Sequence, residues 1–182
     1  MKARDIPNIL CVLRIVLTVP VVWAILVGRY ELALGLFLVA GVTDGLDGFL
    51  AKRFSWQSRL GAMLDPAADK LLLVASFCTL WYAGYVPVWL LVAVVSRDLV
   101  IVFGAALYRW RVGPFLPEPS VISKLNSFLQ LLYILLILAK LVFGIPGPGL
   151  TSVLGWLVLA TTITSGLDYV VRWTARAGAL RA

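Results

Sequence analysis

Apolar runs of about 20 residues, broken by turns bearing Gly and Pro, constrain this chain before anything else does. Six are predicted, at roughly 7–27, 31–52, 59–83, 87–110, 120–143 and 150–173. Gly28-Arg29 ends the first, Gly84 the third, and Gly144 with the turn IPGPG the fifth, while Pro87 opens the fourth. In lipid every backbone amide must be satisfied inside its own segment, and a helix of this length does that. Composition agrees, because 62% of the 182 residues are hydrophobic, against about half in a soluble domain. Mean hydropathy is +0.98. The expected fold is an all-α integral membrane protein with six transmembrane helices, in a single domain over residues 1–182. The start, MKARDIPNILCVLRIVLTVP, has the charge order of a signal peptide. It lacks a small-residue cleavage site and carries Arg14 inside the run, so it reads as a retained first helix.

The formal net charge of +7 is distributed unevenly. Lys2, Arg4, Lys52, Arg53, Arg59, Arg109, Arg111, Lys124, Arg172, Arg176 and Arg181 fall to one side of the predicted spans. Arg29 and Lys140 fall to the other. Basic residues collect on the cytoplasmic side. Both termini, the 52–59 turn and the 110–120 loop are therefore expected in the cytoplasm, and no nucleic-acid partner is needed to account for the charge. The absence of a transit-peptide pattern points to a bacterial cytoplasmic membrane. There is no histidine, and Cys11 and Cys78 lie in separate apolar runs. That excludes catalysis through histidine, zinc sites and a disulfide framework. A metal here would be held by oxygen, which selects hard cations.

Four of the nine acidic residues, Asp44, Asp47, Asp65 and Asp69, fall in the 26-residue window DGLDGFLAKRFSWQSRLGAMLDPAAD. Asp44 and Asp47 are three apart at the end of the second predicted helix, and Asp65 and Asp69 four apart near the start of the third. Each pair shares a helix face. A turn near 54–58 would bring the pairs together at the cytoplasmic end of a hairpin. Unneutralised carboxylates repel in a low dielectric, and intramembrane charge is usually functional. One or two divalent ions would satisfy them. Salt bridges to Lys52, Arg53, Arg59 and Lys70 are the structural alternative, and an ion-coupled transporter or a membrane scaffold the functional ones. No second carboxylate cluster in the later helices supports a transporter. Gly48 and Gly61 either admit a ligand or serve close helix packing, as Gly41 and Gly45 could.

The pattern Asp44-x2-Asp47-Gly48-x2-Ala51-Lys52-x8-Gly61-x3-Asp65-x3-Asp69 closely resembles the signature of the CDP-alcohol phosphatidyltransferases. The opening IPNILCVLRI is similar to that family's entry into its first helix. The resemblance implies six membrane helices, a homodimer, and a metal site between helices two and three. It implies Asp44, Asp47, Asp65 and Asp69 as ligands of two Mg2+ or Mn2+ ions, with Asp69 also the base for the acceptor hydroxyl. Gly48 and Gly61 would make room for the cytidine nucleotide. The family has Arg after the Ala where this chain has Lys52 and then Arg53, so Lys52 or Arg53 would hold the diphosphate. The implied reaction moves a phosphatidyl group from CDP-diacylglycerol to an alcohol and releases CMP.

A second polar set occupies helices four and five: Arg97-Asp98, Arg109, Arg111, Ser123, Lys124, Asn126 and Gln130. Arg97 could pair with Asp98, and Arg109 and Arg111 could anchor topology. Alternatively Arg97, Arg109 and Lys124 form a basic pocket for an anionic acceptor. The stretches SRD (96–98) and PSVISKLNSFLQ (119–130) resemble the CMP-forming cardiolipin synthases, whose acceptor is phosphatidylglycerol. Phosphatidylglycerophosphate synthases, which use glycerol 3-phosphate, tend to show Arg-Glu on helix four and a second Lys at the Asn126 position.

Overall fold

The computed structural model describes the backbone of residues 6–54, 59–111, 120–145 and 147–179, and the side chains of 9–43, 45, 68–104, 120–145, 147 and 149–172. The described residues form six helices: α1 (Ile6–Leu26), α2 (Tyr30–Phe54), α3 (Arg59–Tyr82), α4 (Val88–Arg111), α5 (Val121–Phe143) and α6 (Pro148–Ala179). No strand occurs among the described residues. The expected turn at 54–58 and the loop 112–119 fall largely outside them. By length and apolar composition, Ile9–Leu26, Val121–Phe143 and Gly149–Arg172 can each cross a membrane, and Tyr30–Thr43 is a shorter apolar stretch.

The breaks form for identifiable reasons. Gly28 and Gly84 take positive φ values of 74° and 83°, a conformation that a Cβ disfavours. The chain then turns back on the helix it leaves. The Arg29 amide donates to the Ala24 carbonyl at 2.8 Å, and the Tyr85 amide to the Leu80 carbonyl at 2.9 Å. These bonds satisfy carbonyls that a helix end would otherwise orphan. Pro87 lends its carbonyl to the Leu90 and Leu91 amides. Ser120 caps α5, its hydroxyl accepting from the Ser123 amide at 3.2 Å. α6 ends six residues beyond the expected position 173. Apolarity stops near Trp173, but half of the following TARAGA is Ala, the strongest helix former.

The described chain falls into two compact units, Met1–Val86 with Ile134–Gly147, and Pro87–Tyr133 with Pro148–Ala182. In the first, α1 packs against both α2 and α3. Its core includes Val21, Ala24, Phe37 and Phe77. Tyr30 and Tyr85 join hydroxyls at 2.9 Å. In the second, α4 packs on α6, with Trp89 stacked on Trp156 at a 4.9 Å centroid distance. Large apolar side chains such as Val19, Val102, Phe103 and Val121 point outward. Arg14, Arg97, Asn126 and Gln130 are buried. That inverted distribution suits a lipid environment, where no apolar face needs hiding and polar groups seek protein partners.

Gly155 on α6 fixes a close contact in the second unit. A Cβ built there would lie 3.3 Å from Cε2 of the buried Tyr133. Gly155→Leu should lower the thermal midpoint of the detergent-solubilised protein by several degrees, as expected from an overpacking penalty of about 1–3 kcal/mol. Gly155→Ala should cost less, because the ring needs to yield only slightly. Differential scanning fluorimetry distinguishes the two.

Candidate functional site

Each acidic pair lies on the helix expected of it. Asp44 and Asp47 belong to α2, and Asp65 and Asp69 to α3. Gly48, Lys52 and Arg53 occupy the last two turns of α2, and Gly61 the first turn of α3. The side chains of Asp44, Asp47, Lys52, Arg53 and Asp65 lie outside the described residues, as does that of Arg109 on the last turn of α4. Asp69 is described, and its side chain is 41% exposed.

Asp69 is held from another helix. The Arg14 guanidinium, on α1, donates through Nη1 to Oδ1 of Asp69. Only 1% of the Arg14 side chain is exposed. One turn further along α1, the Thr18 hydroxyl donates to the Arg14 carbonyl at 3.0 Å. Arg14 interrupts an otherwise apolar span, where an arginine is tolerated only beside groups that answer its charge. Asp69 provides an answering charge. Arg14 thus meets one of the four aspartates directly.

The donor set fits a hard divalent cation. Four carboxylates sit at helical spacings on two successive helices, in a chain with no histidine. At Gly41 and Gly45 an added Cβ would meet nothing within 4 Å among the described residues, so these glycines mark no close helix contact there.

The second unit carries a buried polar seam. Arg97, 5% exposed, donates from Nη1 to Asp98 Oδ1 at 2.8 Å. Its Nη2 donates to the hydroxyls of Ser123 at 2.5 Å and Ser165 at 2.7 Å. Gly166 lies against the Arg97 stem, and a Cβ there would sit 3.7 Å from its Cγ. The guanidinium therefore ties α4 to α5 and α6. Asn126 continues the seam, its Oδ1 accepting from Thr161 at 3.0 Å and Thr162 at 2.9 Å. One turn on, Gln130 is fully buried. Among the described residues, neither amide atom of Gln130 has a hydrogen-bond partner, nor has Nδ2 of Asn126. Lys124, by contrast, is exposed.

Arg97 does pair with its neighbour Asp98, and it is also spent on two serines. Reading the sequence missed the hydroxyls of Thr161, Thr162 and Ser165. Their signal was present in TTITS (161–165), a run of hydroxyl residues inside the sixth apolar stretch.

Comparison with known proteins places this geometry. Residues 4–164 match the family model described as CDP-alcohol phosphatidyltransferase. The chain is 34% identical over 180 residues to the human protein named cardiolipin synthase (CMP-forming), covering 90% of this chain and 60% of that one. It is 31% identical over 191 residues to a Mycobacterium tuberculosis protein named probable phosphatidylglycerophosphate synthase, covering 99% and 87%. A Bacillus subtilis CDP-diacylglycerol–glycerol-3-phosphate 3-phosphatidyltransferase is 28% identical over 142 residues, covering 77% and 72%. The chain thus spans about three fifths of the human relative's length and most of the mycobacterial one. With its aspartate signature carried on α2 and α3, this chain belongs to the CDP-alcohol phosphatidyltransferase family.

Proposed function

We propose that the protein transfers the phosphatidyl group of CDP-diacylglycerol to an anionic glycerol-type alcohol, releasing CMP, in phospholipid biosynthesis. The observation that carries this reading is Asp69, a partly exposed carboxylate of the family signature gripped by a buried arginine. In this reading the chain crosses a bacterial cytoplasmic membrane six times with both termini inside, and works as a homodimer. The charge asymmetry and the apolar helices support that topology.

Asp44, Asp47, Asp65 and Asp69 would hold two Mg2+ or Mn2+ ions between α2 and α3. When bound, such ions neutralise the diphosphate and the charge that develops on the leaving group. The protein's own residues do the rest. Gly48 and Gly61 leave room for the cytidine nucleotide, and Lys52 or Arg53 pairs with the diphosphate. Asp69 accepts the proton of the acceptor hydroxyl. The hydroxyl oxygen bonds to the phosphorus that carries diacylglycerol. The bond from that phosphorus to the bridging oxygen breaks, and its electrons leave with CMP. The acyl chains stay in lipid throughout, which explains why such a site belongs at helix ends.

For the acceptor, Arg97, Arg109 and Lys124 supply positive charge. Arg97 acts largely by fixing the start of α5, where Lys124 is exposed. Buried amides without partners cost about 1–3 kcal/mol each. Nδ2 of Asn126 and both amide atoms of Gln130, without partners among the described residues, suit the hydroxyls of a glycerol headgroup, which both donate and accept. Phosphatidylglycerol is the favoured acceptor, which would make the protein a cardiolipin synthase. The alternative is glycerol 3-phosphate, supported by similarity to the mycobacterial and Bacillus proteins.

Purified protein given CDP-diacylglycerol and Mn2+ should form cardiolipin and CMP with phosphatidylglycerol, read by mass spectrometry of the lipid products. Product from glycerol 3-phosphate alone would select the alternative acceptor, and no CMP with either would refute the reaction. Gln130→Leu should raise the KM for the acceptor about tenfold, the equivalent of one hydrogen bond of about 1.4 kcal/mol. The KM for CDP-diacylglycerol should stay unchanged and the melting temperature should not fall. An unchanged acceptor KM with a lowered melting temperature would instead mean that Gln130 binds structural water.

A further inference from the structure

We infer that Arg14 is a positioning residue for Asp69, reaching from α1 to fix the carboxylate that meets the acceptor and the metal. The inference rests on the proposed role of Asp69 and adds a residue outside the 44–69 signature window.

Three observations carry it. Arg14 and Asp69 are 55 residues apart in sequence, so no local helix geometry brings them together. Arg14 is almost wholly buried while Asp69 is not. The contact is therefore not a solvated surface pair of small consequence. Finally, α1 packs on both α2 and α3, the helices that bear the four aspartates. A side chain leaving α1 is well placed to brace a carboxylate on α3.

The chemistry of guanidinium suits the task. Its charge is permanent and its planar fork presents donors in fixed directions, so a carboxylate bound to it loses rotational freedom. A carboxylate that must receive a proton from a particular hydroxyl gains rate from being held in place. The fixed positive charge also offsets part of the mutual repulsion of Asp44, Asp47, Asp65 and Asp69. Arg14 touches Asp69 and needs no contact with substrate. A lysine at position 14 would retain the charge but lose the fork.

The test separates positioning from mere support of the fold. Turnover and Mn2+ binding are measured on detergent-purified Arg14→Met, Arg14→Lys, Asp69→Asn and the Arg14→Met/Asp69→Asn double variant. Binding is read by electron paramagnetic resonance of free Mn2+. For Arg14→Met, kcat should fall about 100-fold. Its KM for CDP-diacylglycerol should stay within about threefold of wild type, and Mn2+ should bind as tightly as before or more tightly, since a competing cation has gone. Arg14→Lys should recover about tenfold of the lost rate. The double variant should be no slower than Asp69→Asn alone, because two residues acting through one group are not additive.

Wild-type turnover in Arg14→Met overturns the inference, as does loss of Mn2+ binding together with turnover in a monodisperse Arg14→Met protein. If Arg14→Met does not purify, Arg14→Lys decides. Reduced kcat with Mn2+ binding intact supports the fork, and wild-type kcat refutes it. Should Asp69→Asn keep full turnover, the role of Asp69 itself fails. Should Asp69→Asn be slow while Arg14→Met is unimpaired, only the Arg14 inference fails.

Discussion

Charge placed among apolar helices has to be answered where it stands, since water is not available to screen it and the low dielectric magnifies whatever is left uncompensated. Arg14 and Arg97 are the two clearest cases here, both nearly inaccessible on helices of largely apolar sequence. Each is met by a carboxylate, Arg14 by Asp69 and Arg97 by Asp98. The same rule, applied to four aspartates at helical spacing on α2 and α3, calls for cations. The family's reliance on divalent metal follows from this electrostatic demand as naturally as from its chemistry.

The two compact units solve the problem differently. Around Asp69 the pairing is ionic and the carboxylate remains partly exposed, which leaves it available to a ligand. In the second unit Arg97 is enclosed by hydroxyls and its own neighbour, and the seam then runs on through neutral amides. Ionic groups suit a metal and a diphosphate, while neutral donors and acceptors suit a polyol.

Much of the fold could be read from the chain. The helix ends at Gly28, Gly84 and Gly144 were legible because left-handed backbone favours glycine, and all three adopt it. The start of α4 after Pro87 was legible for a similar reason. The end of α6 was not, because hydropathy tracks the membrane and not the helix, and an Ala-rich segment continues one past the other. The aspartate pattern identified the family, since its spacing is demanding. The partner of Arg14 was illegible, because pairing across 55 residues is set by how α1 packs and no local periodicity records it. Thr161, Thr162 and Ser165 were overlooked for a related reason. Hydroxyl residues in an apolar helix can bond to their own backbone, as Thr164 does with Ala160, so sequence alone does not separate those from the ones that reach another helix.

The claim beneath all of this is that α2 and α3 bring their aspartates close enough to share a cation. Anomalous scattering from crystals grown with Mn2+ tests it most directly. The account predicts a manganese peak coordinated by carboxylate oxygens of both helices, Asp44 and Asp47 from one and Asp65 and Asp69 from the other. A map with no manganese there, or with the two pairs of carboxylates turned apart beyond the reach of a common ion, would contradict it.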